Sequence, residues 1–150
     1  MPTQQQLDEV YLGTALLHSN LSKARRKAVG AVLITKTGVA IPGYNGTPVG
    51  LSNECEHRTM SQAWGGMGQM VLTTKPEVIH AELNCILKAA KEGVSVEDAT
   101  IYTTLSPCVP CAAMLINAGI KELVWQETYH DTSGLDLLKQ AGIITRQVQL

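Results

Sequence analysis

An α/β fold, a three-layer sandwich built on one sheet, is what this sequence predicts. Three observations carry that reading. Segments of strand character alternate with helical periodicity through the second half of the chain. An apolar run, AVGAVLIT, leads through a Lys-Thr-Gly turn into VAIPGYN, the pattern of a β-hairpin. The 150 residues hold no repeat, low-complexity tract or linker, so residues 1–150 are expected to form one domain with a sizeable core.

The elements follow in order. Leu7, Val10, Tyr11, Thr14 and Leu17 recur at helical spacing, which predicts an amphipathic first helix over residues 4–18. The hairpin occupies residues 28–45, and Pro42 confines its second strand to an edge or to its own end. Residues 45–77 contain Gly46, Pro48, Gly50, Gly65, Gly66, Gly68 and Pro76 with little periodicity. So long an irregular stretch in a compact domain is usually functional or partly disordered. A helix is expected over 80–91, closing near Gly93, then strand TIYTT at 100–104. A further helix spans 108–118 up to Gly119, KELVWQ forms a strand, LDLLKQAG a helix and IITRQVQ the last strand.

Bulk composition narrows the function classes. Hydrophobic content of 45% with 17% charged residues is that of an ordinary globular protein. No apolar run approaches the ~20 residues that a membrane span requires. The N-terminal MPTQQQLDEV lacks the basic and apolar regions of a signal peptide, so a cytoplasmic location is expected, in the host if the source is viral. Formal net charge is −1, with one dense cationic patch at Lys23, Arg25, Arg26 and Lys27. That patch suffices for a nucleotide phosphate and is thin for a nucleic-acid polymer. Its plainer role is a solvated loop. The four cysteines, Cys55, Cys85, Cys108 and Cys111, are expected as reduced thiols or metal ligands.

Chemistry concentrates in TTLSPCVPCAAML, residues 103–115. Pro107 stiffens the turn into a helix, and Pro110 is tolerated because first-turn amides have no intrahelical partner. The Cys108–Cys111 spacing puts both sulfurs on one helical face, and the helix N-terminus favours thiolate. A metal pair and a redox dithiol are served equally well by this arrangement.

The upstream segment VIHAELNCIL separates the two readings, with His80 at a helix start and Glu82 two residues on. Zinc held by one imidazole and two thiolates keeps an open position, where water has its pKa lowered to roughly 7. An unligated carboxylate beside that water can carry its proton to a substrate. His80 and Glu82, followed by Pro107, Cys108 and Cys111, match the H-x-E…P-C-x-x-C pattern of zinc nucleobase deaminases. A purely structural zinc would need a fourth protein ligand. Cys85 sits five positions after His80 and should point into the core instead; Cys55 and His57 could approach, but Glu82 would then have no purpose.

At this point the chain resembles the deoxycytidylate (dCMP) deaminases, phage-type members of the cytidine deaminase-like superfamily. The resemblance rests on VGAVL, GYNG (43–46), HAELN (80–84), TLSPCVPCA (104–112), AGIKELV (118–124) and ETYHD (127–131). It implies an α/β/α sandwich around a central mixed five-stranded sheet. It implies one catalytic zinc on His80, Cys108 and Cys111, with Glu82 as proton shuttle in the conversion of dCMP to dUMP and ammonia. Asn45 would bind sugar or base, and equally suits a left-handed turn beside Gly46. Tyr129 is placed near the phosphate, with Arg26 or Lys27 as cationic help and Ser106 as a further substrate contact. Tyr129 suits a half-buried strand-end aromatic equally well.

Many relatives are hexamers activated by dCTP with Mg²⁺ and inhibited by dTTP, so a homo-oligomer, hexameric or dimer-based, is implied. Gly43, Tyr44, Gly46 and Lys91 are the candidate regulator contacts. Lys91 also suits the negative end of a helix dipole. Some relatives carry a second zinc, but Val78 and Ile79 cannot ligate, and Cys55 with His57 does not complete such a site; a single zinc per chain is expected. With no phenylalanine, base stacking must use Tyr, Trp or His.

Rival readings remain at this stage. A nucleoside deaminase commonly uses three cysteines and lacks a phosphate site. A tRNA adenosine deaminase or a polynucleotide editor needs a basic surface, and the editor also an aromatic one, which 4% aromatic residues do not favour. A zinc-stabilised nucleotide sensor would have no use for Glu82.

Overall fold

The computed structural model describes residues 1–61, 65–66 and 68–150. Helix α1 (Gln4–Ser19) precedes strands β1 (Gly30–Ile34), β2 (Ala40–Tyr44), β3 (Glu56–Met60) and β4 (Met70–Thr74). Helix α2 (Ala81–Glu92), strand β5 (Thr100–Leu105), helix α3 (Val109–Asn117), strand β6 (Glu122–Glu127), helix α4 (Ser133–Gln140) and strand β7 (Ile144–Gln147) complete the chain.

Five strands form the central sheet in the order β2-β1-β5-β6-β7. Strand β1 runs antiparallel to β2 and β5, whereas β5–β6 and β6–β7 are parallel and joined by helical crossovers. The sheet is therefore mixed, as predicted. Pro42 lies on β2, at an edge, where its missing N–H costs the ladder least.

Side-chain alternation along the strands sorts the helices into layers. Val32, Tyr102 and Val124 face Leu12 and Ala15 of α1. Their sequence neighbours Leu33, Ile101 and Leu123 face the opposite way, toward Cys85, Leu115 and Leu138 of α2, α3 and α4. One helix covers one face and three cover the other, which is the expected α/β/α sandwich. None of the described helices is long and apolar enough to cross a membrane.

Two sequence expectations need correction. The stripe Leu7, Val10, Tyr11, Thr14 and Leu17 is not the buried face of α1: Val10 and Leu17 are exposed at 61% and 71%. The buried residues are Asp8, Leu12 and Ala15. Hydropathy hides this face because a charge sits on it. Arg146 grips Asp8 with both guanidinium nitrogens, at 2.9 and 3.0 Å, and the Tyr102 hydroxyl donates to the same carboxylate at 2.8 Å.

The second correction concerns residues 45–77. Strands β3 and β4 form an antiparallel ribbon there, in register Glu56↔Thr74 through Met60↔Met70, separate from the central sheet. Most of its residues are exposed, so no apolar alternation was needed to build it. Residues 62–64 and 67 of that stretch lie outside the described residues.

Arg146 holds the Asp8 carboxyl below its ordinary range. Native Asp8 therefore protonates at lower pH than in the unfolded chain. Its contribution to stability is fully present above the ordinary aspartate pKa of ~3.9 and is lost as pH falls through the lower native value. Asp8→Asn is expected to cost about 2 kcal/mol at pH 7, the scale of a charge-assisted hydrogen bond. Urea unfolding at pH 7 and again near pH 3 checks this: the gap between variant and wild type should shrink in acid. An equal gap at both pH values would contradict the ion-pair account.

Candidate active site

Two helix starts build the site. His80 caps α2 and Cys108 caps α3, both in extended backbone, and neither side chain is spent on a capping hydrogen bond. Cys111 lies one turn into α3, past Pro110. Glycines on neighbouring elements allow a close approach to both helix starts. A Cβ on Gly43 would sit 2.7 Å from the Ala81 carbonyl and 2.9 Å from Cys85 Sγ, so β2 presses directly against the first turn of α2. A Cβ on Gly134 would run into the Pro107 carbonyl, so α4 braces the turn that carries Cys108.

His80 Nδ1 stands 3.2 Å from Cys111 Sγ and 3.5 Å from Cys108 Sγ. All three donor atoms lie within 4.8 Å of one another, and among the described residues this is the one such group of His, Cys, Asp or Glu. One imidazole and two sulfurs are a donor set suited to Zn²⁺, and three protein ligands leave room for a fourth partner. The group fits a zinc ion. Cys85 is fully buried in the core beneath α2, and Cys55 is buried beside the ribbon, with its thiol toward the Asn53 carbonyl.

The site favours thiolate at one of its two sulfurs. The Cys111 thiol, followed by His80, pulls Cys108 down to about 4, whereas its contact with Cys108 and its burial push Cys111 up. The Cys108 sulfur in turn raises His80.

Glu82 lies in the first turn of α2 and is 3% exposed. Burial raises its pKa. The Thr103 hydroxyl stands 3.2 Å from Oε1 but only 2.9 Å from the Leu105 carbonyl, so its single hydrogen is contested. Oε2 is buried with no hydrogen-bond partner among the described residues. A buried carboxylate oxygen without a donor is costly and rare. Glu82 also lines a cavity.

The cavity holds about 500 Å³. His80, Glu82 and Cys108 are part of its wall, as are Asn45, Arg26 and Lys27 from one side and Ser106, Tyr129 and His130 from another. Asn45 ties the cationic loop to the hairpin: its Oδ1 accepts from Val29 N–H at 2.9 Å and its Nδ2 donates to the Lys27 carbonyl at 2.9 Å. Lys27 pairs with Glu127 at 2.6 Å. The Ser106 hydroxyl accepts from Tyr129 N–H at 2.7 Å, and the Tyr129 and His130 rings lie 4.1 Å apart.

The regulator candidates fall elsewhere. Gly43, Tyr44, Gly46 and Lys91 do not line this cavity. Gly46 exchanges backbone hydrogen bonds with Ile79, at 3.1 and 2.8 Å, just before His80. The Tyr44 carbonyl accepts from Asn84 at 2.7 Å. Lys91 stands exposed in the last turn of α2.

Sequence reasoning did not single out Thr103, Glu127 or Thr74, all of which meet a site side chain. Glu127 stood within ETYHD, but its partner Lys27 is 100 positions away. Nothing local marks such a pair.

Residues 5–127 match the family model described as the cytidine and deoxycytidylate deaminase zinc-binding region. The chain is 36% identical to the deoxycytidylate deaminase of Enterobacteria phage T4, over 88% of this chain and 84% of the relative. It is 34% identical to the human deoxycytidylate deaminase, covering 93% of this chain and 78% of that protein. Among solved structures, the dCMP deaminase of cyanophage S-TIM5 in complex with dCMP and dUMP superposes with a TM-score of 0.82 at 32% identity, over 98% of this chain and all of that one.

Proposed function

The chain belongs to the cytidine and deoxycytidylate deaminase family, and on that premise we propose that it hydrolyses dCMP to dUMP and ammonia. One observation carries the reading: Glu82, with a carboxylate oxygen that is buried and has no hydrogen-bond partner among the described residues, lines the same cavity as His80 and Cys108 of a His/Cys/Cys donor group. His80, Cys108 and Cys111 would hold one zinc. When bound there, zinc supplies the Lewis acidity that makes water a nucleophile near neutral pH.

Glu82 handles the protons. It takes one from the water that attacks C4 of the base and passes it to N3, then moves a second proton to the departing amine. Water and dCMP are consumed; dUMP and ammonia leave. Burial suits this role, because it pushes the carboxyl above the ordinary glutamate range and makes the carboxylate a better proton acceptor. Thr103 steers Oε1 without locking it. Asn45 is assigned to sugar or base. Arg26, Lys27, Ser106 and Tyr129 are assigned to the phosphate end of the pocket. A zinc-stabilised sensor would leave the partnerless oxygen of Glu82 unexplained.

The family resemblance at GYNG and HAELN also supports regulation, with dCTP and Mg²⁺ activating and dTTP inhibiting. It supports a homo-oligomer, hexameric by analogy, acting in the cytoplasm. Gly43, Tyr44, Gly46 and Lys91 remain the assigned contacts for that control.

An ultraviolet assay comparing dCMP, dCTP, deoxycytidine and CMP, each with and without added dCTP, tests the reading. We expect dCMP to be deaminated best and its saturation curve to sharpen with dCTP. Preference for deoxycytidine would reassign the chain to nucleoside deamination. Indifference to dCTP and dTTP would remove the regulatory part alone.

A further inference from the structure

We infer that the β3–β4 ribbon is a positioning device for phosphate recognition, acting through Glu56 and Thr74 on the loop that carries Arg26. This deepens the dCMP reading and rests on it.

The two residues are a directly opposed cross-strand pair at the base of the ribbon. Opposed residues project from the same face, so their side chains act side by side. Glu56, 8% exposed, accepts the backbone N–H of Arg25 at 2.6 Å and of Arg26 at 3.1 Å on one oxygen. Thr74 accepts from the Arg26 guanidinium at 3.1 Å. One partner fixes the main chain of the loop and the other fixes the direction of the cationic head.

The loop has no secondary structure of its own between α1 and β1. Among the described residues, its other long-range ties are Ser22 to the Asn45 carbonyl, Asn45 to Lys27 and Val29, and the Lys27–Glu127 ion pair. Without Glu56 and Thr74, the Arg26 amide and guanidinium would lose these partners.

Arg26 and Lys27 differ in what they have left to give. Lys27 is already neutralised by Glu127, whereas Arg26 donates to a neutral hydroxyl and has no carboxylate partner among the described residues. An arginine wall of a nucleotide pocket, with its charge uncompensated and its orientation fixed, suits bidentate binding of a phosphate. Fixing it beforehand reduces the side-chain ordering that binding would otherwise require. The chemical class recognised is a nucleoside 5′-monophosphate.

The test uses Thr74→Val, which keeps side-chain shape and removes the acceptor, with Glu56→Ala and Glu56→Gln. Two readouts are needed: kcat and KM for dCMP and deoxycytidine, and calorimetric binding of dUMP against deoxyuridine. For Thr74→Val and Glu56→Ala we expect KM for dCMP to rise about five- to tenfold with kcat changed less than twofold, the loss of one charge-assisted contact. The preference for dCMP over deoxycytidine should shrink by the same factor, and dUMP binding should weaken in parallel. Glu56→Gln keeps an acceptor for both amides and should restore KM to within about twofold of wild type.

Wild-type KM and dUMP affinity in both Thr74→Val and Glu56→Ala would overturn the inference. So would an equal loss with dCMP and deoxycytidine, since that is damage to the fold. A wild type that binds dUMP but does not turn over dCMP would remove the proposed reaction, while weaker dUMP binding in Thr74→Val would still support the bracket.

Discussion

Glu82→Gln is expected to lower kcat for dCMP by about a thousandfold or more while the protein keeps its zinc and its fold. General acid–base catalysis by one positioned group is typically worth 10² to 10⁴ in rate, and in the proposed mechanism one carboxyl serves both the attacking water and the departing amine. The amide is nearly isosteric and can still meet Thr103, but it cannot carry a proton. Stability should move the other way. Glu82 is 3% exposed and its Oε2 has no donor among the described residues, so the native protein bears a desolvation cost that a neutral amide relieves in part. We therefore expect an unchanged or higher melting temperature together with the loss of turnover, the usual opposition between a strained functional group and stability. Single-turnover rates, elemental analysis and a melting curve on one preparation decide it. Activity within tenfold of wild type would remove Glu82 from the mechanism.

Why this site was legible in one sequence follows from its construction. His80 and Glu82 share the start of α2, and Cys108 and Cys111 share the start of α3, so each half is written within four residues. Pro107 and Pro110 mark where the second half begins. The sheet brings the two halves together, and the alternation of strands and helices was enough to predict that sheet.

What stayed hidden depends on contacts far apart along the chain. Asp8 reads as a solvent-facing charge on α1 until Arg146, 138 positions later, is placed against it; the exposed Val10 and Leu17 then look like the core face when they are not. The β3–β4 ribbon carries no apolar period because most of it faces water, so periodicity could not reveal it. With the ribbon missing, the support it gives the Arg26 loop was missing too. Glu56 and Thr74 became functional candidates only when the fold set them opposite each other.

The zinc site makes the second large prediction, and Cys111→Ser isolates it. Cys111 is 1% exposed, 3.2 Å from His80 Nδ1, and placed by the α3 backbone. A serine hydroxyl is smaller, does not ionise near neutral pH and is a poor ligand for zinc beside a thiolate and an imidazole. Zinc should fall from about one per chain to under about a tenth, with dCMP turnover below detection. The melting temperature should drop by roughly 5–10 °C, because a ligand bound only by the native state stabilises it by mass action.

Cys85→Ser is the control that separates metal loss from core damage. Cys85 is 0% exposed, lies on the same helix as Glu82, and its thiol is pushed up to about 12 by burial. Placing a hydroxyl there should lower the melting temperature by a similar amount, yet leave zinc content and activity per zinc unchanged. Chelation of wild-type protein should reproduce the Cys111→Ser shift and not alter Cys111→Ser itself. If Cys111→Ser retained a full complement of zinc, the metal would sit on other residues, and the partnerless oxygen of Glu82 would have to be explained without it.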